Sequence, residues 1–231
     1  MNIAERLAVV HARIEAATHR SGRSPGDVTL IGVTKTFGVD VVAAALDAGI
    51  VDLGENRAQE LGDKLEAAGD RARWHFVGAL QTNKVRAVVG RVSLIHSVDR
   101  LAVAEAIARR ASSGDIVQDV LVEVNVAGEA SKSGIALSEA LDLARATAAL
   151  EGLRLRGLMT IPPFPEDPEE TRPYYASLAE LGAELTAVLP GAGGLSMGMS
   201  RDFEVAIEEG ATYVRVGEAL FGPRSRRAKP A

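Results

Sequence analysis

Short β-rich segments alternate with helical segments along the chain, and this alternation is the feature that most limits the possible fold. Each apolar, β-rich run is followed by a segment rich in Ala, Leu, Glu and Arg, which is typical of consecutive β/α units. The predicted strands are 28–33, 51–53, 74–77, 94–97, 120–124, 155–159, 195–197 and 213–216. The predicted helices that follow them are 40–48, 57–67, 83–89, 99–111, 136–150, 173–189 and 202–209.

This series of units predicts an α/β fold, a single (β/α)8 TIM barrel, with an extra N-terminal helix at 1–20. A doubly wound open sheet is the alternative, but that fold usually has a Gly-rich turn after its first strand, where this chain has Lys35, Thr36, Phe37 and Gly38. The Pro-rich stretch 161–173 separates a predicted strand from a predicted helix and is therefore a long loop. We expect one domain over 1–231, in which 223–231 form a flexible tail.

Composition and charge exclude several classes of protein. The chain has 231 residues, is 47% hydrophobic and can bury a large core. Its formal net charge of -5 argues against a general nucleic-acid binder, and the absence of cysteine removes disulfides and thiol chemistry. The four histidines lack ligand spacing, so no metal site is expected. The amphipathic N-terminus is unlike a signal peptide and no apolar stretch is long enough to cross a membrane, so we expect a cytoplasmic protein.

Lys35 is the first candidate functional residue. It directly follows the apolar run 28–34, so an amine is placed where a buried strand ends. Burial favours the neutral amine, which is the form that attacks aldehydes, and this suggests a lysine that forms a Schiff base. The alternative is a lysine that follows a strand and extends its amine into solvent.

Other polar or small residues follow further predicted strands. Asn56 follows the second strand and His75 lies within the third. The seventh strand leads into Ser196, Met197, Gly198, Met199 and Ser200 before an acidic helix start, and the eighth ends at Gly217. In a (β/α)8 barrel the loops after strands seven and eight commonly bind phosphate, through hydroxyls and backbone amides. The alternative for the Ser/Gly turn is an ordinary helix cap.

An imine-forming lysine and a phosphate site at one barrel mouth imply a phosphorylated aldehyde, of which pyridoxal 5'-phosphate is the common one. Arg215, a charge on the otherwise apolar strand 213–216, fits this ligand. An arginine can only donate to the pyridine nitrogen, so that nitrogen stays unprotonated and the cofactor is a weak electron sink. The alternative is a salt bridge from Arg215 to Glu218 or Glu55.

Motifs spread over nearly the whole chain resemble the pyridoxal phosphate homeostasis proteins, the YggS/PROSC family. They are LIGVTKT (30–36), DLGENRAQE (52–60), HFVGALQTNK (75–84), SKSGI (131–135), GLMTIPP (157–163), GLSMGMSRDF (194–203) and VRVGEALFG (214–222). The resemblance implies a monomeric barrel similar to the N-terminal domain of alanine racemase, with pyridoxal phosphate as an imine on Lys35. It places Arg215 at the pyridine nitrogen and Asn56 by the ring. The phosphate would be held by Ser196, Ser200 and Gly217, and the expected cofactor-binding set also includes His75, Met197 and Gly198.

The chain departs from the family pattern directly after Lys35. Many relatives continue with a second lysine or a histidine and then a proline, where this chain has Phe37 and Gly38. This departure puts in doubt an auxiliary residue that receives the cofactor during transfer. Lys84 and Lys132 are candidates for that role, and the alternative for both is a lysine that faces solvent.

Two classes of function fit these residues. The first is a protein of vitamin B6 homeostasis that holds pyridoxal phosphate and delivers it to apo-enzymes, without substantial catalysis. The second is a pyridoxal-dependent amino-acid racemase or a related fold-type III enzyme. Two-base racemisation needs a second acid/base group facing the imine, and the pattern places none of Tyr174, Tyr175 and Tyr213 there. The first class is therefore favoured. A class I aldolase is a more distant possibility, and it would be colourless.

Overall fold

A closed ring of parallel strands forms the centre of the computed structural model, which describes residues 1–129 and 132–223. The strands are β1 (Thr29–Val33), β2 (Asp52–Glu55), β3 (Arg73–Phe76), β4 (Leu94–Val98), β5 (Gln118–Asn125), β6 (Ile135–Ala136), β7 (Leu153–Met159), β8 (Gly194–Ser196) and β9 (Tyr213–Val216). β1 pairs with β2 and β9, and pairing of β4 with β5 closes the ring. β6 pairs with β5 outside the ring.

Helices surround this ring and connect its strands. They are α1 (Ile3–Arg20), α2 (Val39–Asp47), α3 (Ala58–Ala68), α4 (Val85–Val88), α5 (Leu101–Ser112), α6 (Ala140–Ala148), α7 (Arg172–Val188), α8 (Phe203–Glu208) and α9 (Glu218–Phe221). The predicted (β/α)8 barrel with an extra N-terminal helix is confirmed. The predicted single domain remains a prediction, and residues 224–231 of the predicted tail lie outside the described part of the chain.

Several short elements differ from their predicted extents. The predicted helix 83–89 is divided into a 3-10 turn, Thr82–Lys84, and α4. The predicted helix 136–150 starts at Ala140, after β6 and the 3-10 turn Leu137–Glu139. β6 and α9 were not predicted. These segments have two to four residues, which is too short for a strand or helix period to be visible in the sequence.

The N-terminal helix is fastened to the barrel through α8. Its start is closed by a capping box, in which Asn2 and Glu5 satisfy each other's backbone amides. Further along, the Arg13 guanidinium donates to both carboxylate oxygens of Glu204, at 2.6 and 2.8 Å, and lies 4.4 Å from the ring centre of Phe203. Arg20 adds an ion pair with Glu208. α1 is therefore an outer layer of the barrel wall.

The inside of the barrel contains an apolar part and a polar part. Ile31, Val33 and Val77 pack together there, and Leu94, Leu121 and Met159 form a second group; Tyr213 contacts both. Alternation along β1 points Ile31 and Val33 inward, and the next residue with the same parity is Lys35. Six buried polar side chains lie on inward-facing positions of other strands, namely Asp52, His75, His96, Glu123, Ser196 and Arg215. The strand pattern thus places both Lys35 and these polar groups on the barrel axis.

One close approach of two strands requires glycine. Gly157 of β7 has a φ of 145°, and a Cβ atom there would lie 1.9 Å from the carbonyl oxygen of Gly194 in β8. A side chain at this position is therefore incompatible with the pairing of β7 and β8. The predicted phosphate loop follows β8, so this contact helps to position it.

Candidate functional site

A cavity of about 470 Å³ opens at the carboxyl ends of the barrel strands. Its wall comes from strand ends and βα loops on both sides of the ring. The lining side chains and glycines of chemical interest are Lys35, Asn56, Glu123, Ser200, Arg215 and Gly217. Four of the strand-end residues that the sequence predicted to bind a cofactor, Lys35, Asn56, Arg215 and Gly217, and Ser200 from the loop after β8, are thus brought to one place.

The backbone around Lys35 is held by local contacts. The next residue, Thr36, has a φ of 70°, which is strained for a β-branched residue. Its amide donates to Glu60 Oε2 at 3.1 Å, and the amide of Phe37 donates to the Thr34 carbonyl at 3.1 Å. The Phe37 ring also packs on Phe221, with 5.6 Å between ring centroids. These contacts fix the turn from which the Lys35 side chain enters the cavity.

A buried ion pair supports the neighbouring strand end. Lys64 of α3 pairs with Glu55 and donates to the Thr34 carbonyl at 2.8 Å. The other oxygen of the Glu55 carboxylate accepts the Asn56 amide at 2.7 Å. The ends of β1 and β2 are therefore tied together beneath the turn that carries Lys35. Among the described residues, the buried Oδ1 atom of Asn56 has no hydrogen-bond partner.

Arg215 forms part of the cavity wall from inside the barrel. It is 4% exposed, and it donates to Ser196 Oγ at 2.6 Å and to the Thr160 carbonyl at 2.8 Å. Burial lowers the pKa of Arg215, and the nearby Glu123 carboxylate is among the groups that oppose this. The side-chain hydrogen bonds of Arg215 do not go to Glu218 or Glu55, the partners in the alternative salt bridge. Glu55 pairs instead with Lys64.

The loops after β8 and β9 meet at the edge of the cavity. The Ser200 hydroxyl oxygen accepts the backbone amides of Gly217 and Ala219, each at 3.2 Å. Gly198 has a φ of 90°, and a Cβ atom there would lie 2.6 Å from the Ala206 Cβ, so the loop lies tightly on α8. The two loops that were expected to form a phosphate site are thus joined at a corner made of a hydroxyl and backbone amides.

Three other predicted residues, His75, Ser196 and Met197, do not line the cavity. His75 is placed between Asp52 and His96, with ring nitrogen distances of 3.1 and 3.0 Å. The Ser196 hydroxyl contacts His96 Nδ1 at 2.8 Å as well as Arg215. Met197 is fully buried in the main hydrophobic core, which is formed by residues of the strands and the surrounding helices. Their predicted roles in cofactor binding stay predictions.

Glu123 is a cavity residue that the sequence reasoning missed. It lies on an inward-facing position near the end of β5 and is 5% exposed. Burial raises the pKa of Glu123 to about 7; the charge of Asp99 adds to this effect and that of Arg215 opposes it. The sequence does contain a signal for this residue, because Glu123 is a single carboxylate within the otherwise apolar run 120–124. Lys35 is similarly a charged residue at the end of an apolar strand.

The two auxiliary lysines have different positions. Lys132 lines the cavity and forms an ion pair with Glu129 at 3.1 Å. Lys84 lies in the 3-10 turn that precedes α4. The motif at 131–135 is described from Lys132 onward, since Ser131 lies outside the described residues. Lys132 is therefore the better placed of the two for contact with a molecule in the cavity.

The Pro-rich loop covers one side of the cavity mouth. Ile161, Phe164 and Pro165 contribute to the lining. Phe164 is 71% exposed, and the guanidinium of Arg201 lies 4.5 Å from the centre of its ring. This contact joins the loop after β7 to the loop after β8.

Two other classes of site have no candidate among the described residues. None of the helices described is both long and apolar enough to cross a membrane. In the same residues, no group of three or more His, Cys, Asp or Glu side chains is arranged to hold a metal ion.

Comparison with known proteins adds independent information. Residues 7–225 match the family model described as "Alanine racemase, N-terminal domain". The pyridoxal phosphate homeostasis protein of Aquifex aeolicus is 48% identical over 229 residues, which cover 97% of this chain and 99% of that protein. The chain belongs to the pyridoxal phosphate homeostasis protein family.

Solved structures agree with membership of the pyridoxal phosphate homeostasis family. A protein of unknown function from Bifidobacterium adolescentis is similar with a TM-score of 0.89 and 39% identity, covering 95% of this chain and 94% of that one. PipY of Synechococcus elongatus, solved with pyridoxal phosphate bound, has a TM-score of 0.82 and 34% identity, covering 96% and 100%. The resemblance stated from the sequence motifs is thereby confirmed.

Proposed function

We propose that this chain binds pyridoxal phosphate in the carboxyl-end cavity, as an imine on Lys35, and that it stores and delivers the cofactor without substantial catalysis. The observation that carries the proposal is the meeting of Lys35, Arg215 and the Ser200–Gly217 corner in one cavity of about 470 Å³. The name of the Aquifex aeolicus relative and the cofactor bound in PipY support it.

The groups around the cavity match three parts of this cofactor, namely its aldehyde, its pyridine nitrogen and its phosphate. The Lys35 amine is the group that condenses with an aldehyde, and one water molecule is released for each imine formed. Arg215 can only donate a hydrogen bond, so it suits an unprotonated pyridine nitrogen. When bound, the cofactor supplies an aldehyde and an electron-withdrawing ring. The Oδ1 atom of Asn56, which has no hydrogen-bond partner in the described part of the chain, marks a further polar position on the wall that a ligand group could satisfy.

The phosphate is assigned to the corner formed by the loops after β8 and β9. Ser200 Oγ already accepts two amides, so its hydroxyl proton is available to a phosphate oxygen. Gly217 brings its backbone to the cavity without a side chain, and Gly198 supports the opposite loop. In this arrangement we assign Ser196 to Arg215 and not to direct phosphate contact, because its hydroxyl contacts Arg215 and His96.

One observation favours a second function, proton transfer at a bound amino acid. Glu123 lines the cavity with a pKa raised to about 7 by burial, which is suitable for an acid/base group at neutral pH. The first function is preferred because relatives that match nearly the whole chain are named for pyridoxal phosphate homeostasis. An arginine at the ring nitrogen also leaves the cofactor a weak electron sink, which suits storage or racemisation better than transamination. Action as a monomer, location in the cytoplasm and transfer to apo-enzymes stay predictions from the sequence.

The imine is tested by chemical labelling of the full chain. Protein loaded with pyridoxal phosphate should absorb visible light, and borohydride reduction followed by peptide mapping should place the label on Lys35. Lys35→Ala should abolish the visible band while its urea denaturation stays close to that of the unmodified chain. Lys132→Ala is the matched control, since Lys132 also lines the cavity, and it should keep the band. Label on Lys132 with Lys35 unmodified would contradict the assignment.

A further inference from the structure

A row of hydrogen-bonded polar side chains crosses the inside of the barrel beneath the cavity. Arg215 Nη1 contacts Ser196 Oγ at 2.6 Å, and Ser196 Oγ contacts His96 Nδ1 at 2.8 Å. His96 Nε2 then contacts His75 Nδ1 at 3.0 Å, and His75 Nε2 contacts Asp52 Oδ1 at 3.1 Å. We name these five residues the interior chain. It joins the cavity wall at Arg215 to the opposite end of the barrel, where Arg73 also bonds to Asp52.

The interior chain is excluded from solvent. Its members are between 0% and 7% exposed. The His75 and His96 rings lie 6.3 and 5.8 Å from the Tyr213 ring, centre to centre, and Tyr213 packs on the apolar group Leu94, Leu121 and Met159. In such surroundings a donor without an acceptor costs stability, so the positions of the protons are constrained.

The two ends of the interior chain fix the direction of its hydrogen bonds. A guanidinium only donates, so Ser196 Oγ must accept from Arg215. At the other end, hydrogen bonds from His75 and Arg73 outweigh the effect of burial and lower the pKa of Asp52 to about 2, so its carboxylate is ionised and only accepts.

The remaining protons then have one arrangement in which every donor meets an acceptor. The Ser196 hydroxyl proton goes to His96 Nδ1, so a neutral His96 carries its proton on Nε2. That proton goes to His75 Nδ1, and His75 carries its own proton on Nε2, facing Asp52. Burial, the largest cause, holds the pKa of His96 well below its usual value, and the charge of Arg215 acts in the same direction.

We propose that Asp52, His75, His96 and Ser196 form a proton-ordered chain of positioning residues, with both imidazoles neutral and protonated on Nε2, that holds the Arg215 guanidinium in place at the cavity. The proton order concerns the cofactor-free protein. The consequence for a ligand, a fixed donor at the pyridine nitrogen, rests on the proposed function.

The competing arrangement has the opposite direction. If His75 were an imidazolium, it would donate to His96 Nε2, and His96 would carry its proton on Nδ1 and donate to Ser196. The Ser196 hydroxyl oxygen would then accept two hydrogen bonds, and its own proton would have no acceptor within the interior chain. The position of the proton on His96 therefore distinguishes the two arrangements.

The first test is nitrogen NMR of histidine-labelled, cofactor-free full-length protein at pH 7. The protein has four histidines, and His11 and His19 are exposed on α1, so the two buried rings can be assigned. We expect both buried rings to be neutral with the proton on Nε2. A proton on Nδ1 of His96 would overturn the proposed order.

The second test uses matched serine variants. Ser196→Ala removes the acceptor for Arg215 and the donor to His96, so the fixed Nε2–H form of His96 should give way to a mixture of the two neutral forms. Ser97→Ala is the control, because Ser97 is also a buried serine of the barrel and lies on β4 outside the interior chain. It should leave both buried histidines unchanged. Unchanged His96 signals in Ser196→Ala would also overturn the order.

The third test concerns Arg215 and the cofactor. With ring-nitrogen-labelled pyridoxal phosphate, Ser196→Ala should shift the ring nitrogen resonance and weaken binding by about three- to thirtyfold. This is less than the loss of a direct charge-assisted hydrogen bond, because the effect acts through Arg215. Ser97→Ala should do neither. Equal binding and equal resonances in both variants would refute the positioning role even with the proton order intact. Failure of the unmodified chain to bind the cofactor would instead refute the proposed function.

Discussion

For individual residues, the informative signal in the sequence was a charged side chain inside an apolar run. Lys35 and Arg215 were singled out for this reason, and both line the cavity. Glu123 has the same signal within 120–124 and was overlooked, because no expected role called for a carboxylate there. His75 was selected for its position on a strand, yet its contacts with Asp52 and His96 depend on the barrel interior and could not be read from sequence spacing.

Glu123 gives a pH-dependent prediction. Burial raises its pKa from 4.5 to about 7, so the folded state binds a proton that the unfolded state releases, and stability is lost as the pH rises from 4.5 through 7. Glu123→Gln should remove this loss and increase the free energy of unfolding at pH 8 by about 1–3 kcal/mol. At pH 4.5 the variant and the unmodified chain should be nearly equal. Urea denaturation at both pH values measures this, with the exposed Glu180→Gln as control. An equal effect at both pH values would contradict it.

At the element scale, periodicity located the long strands and helices but not the contacts that fix their ends. The Glu55–Lys64 pair joins a strand end to a helix nine residues later, and both side chains are buried. A sequence pattern predicts a lysine on α3 as a solvent-facing residue, since lysines are rarely buried. Only the packing of α3 on the ends of β1 and β2 turns Lys64 inward, where Thr34 and Glu55 receive it.

Lys64→Met should therefore destabilise the protein strongly. It leaves the Glu55 carboxylate buried without its cation, and breaking a buried ion pair from one side costs roughly 3–5 kcal/mol. The double variant Glu55→Leu with Lys64→Met should recover most of this loss, because no uncompensated charge remains. Arg57→Met is the control, since Arg57 is in a largely exposed pair with Glu60, and such pairs contribute about 0–1 kcal/mol. Denaturant unfolding at pH 7 gives the comparison, and a Lys64→Met loss as small as that of Arg57→Met would refute the argument.

At the scale of the whole molecule, the alternation of β-rich and helical segments was sufficient to predict the closed barrel and the end at which the site lies. It could not predict the interior chain. Asp52, His75, His96, Ser196 and Arg215 come from five strands, and whether their side chains meet depends on strand tilt and register around the ring. Residue spacing along one strand contains no information on that register. The cavity was thus predictable from the fold, whereas the support of Arg215 was not.

The choice between a carrier and an enzyme concerns the whole molecule and can be tested by activity. The proposed function places Arg215 as a donor at the ring nitrogen, where carbanion chemistry at a bound amino acid would have only a weak electron sink. The proposal therefore predicts a turnover well below about 1 per second, the lower end of ordinary enzymes. The loaded protein should nevertheless reactivate a pyridoxal-dependent apo-enzyme. The measurement is a racemase, transaminase and lyase screen alongside that reactivation, with Lys35→Ala as the unloaded control. Turnover at about 1 per second or faster that disappears in Glu123→Gln would refute the carrier function and identify Glu123 as the acid/base group. The same turnover retained in Glu123→Gln would refute the carrier function as well, and would leave Lys35 as the base.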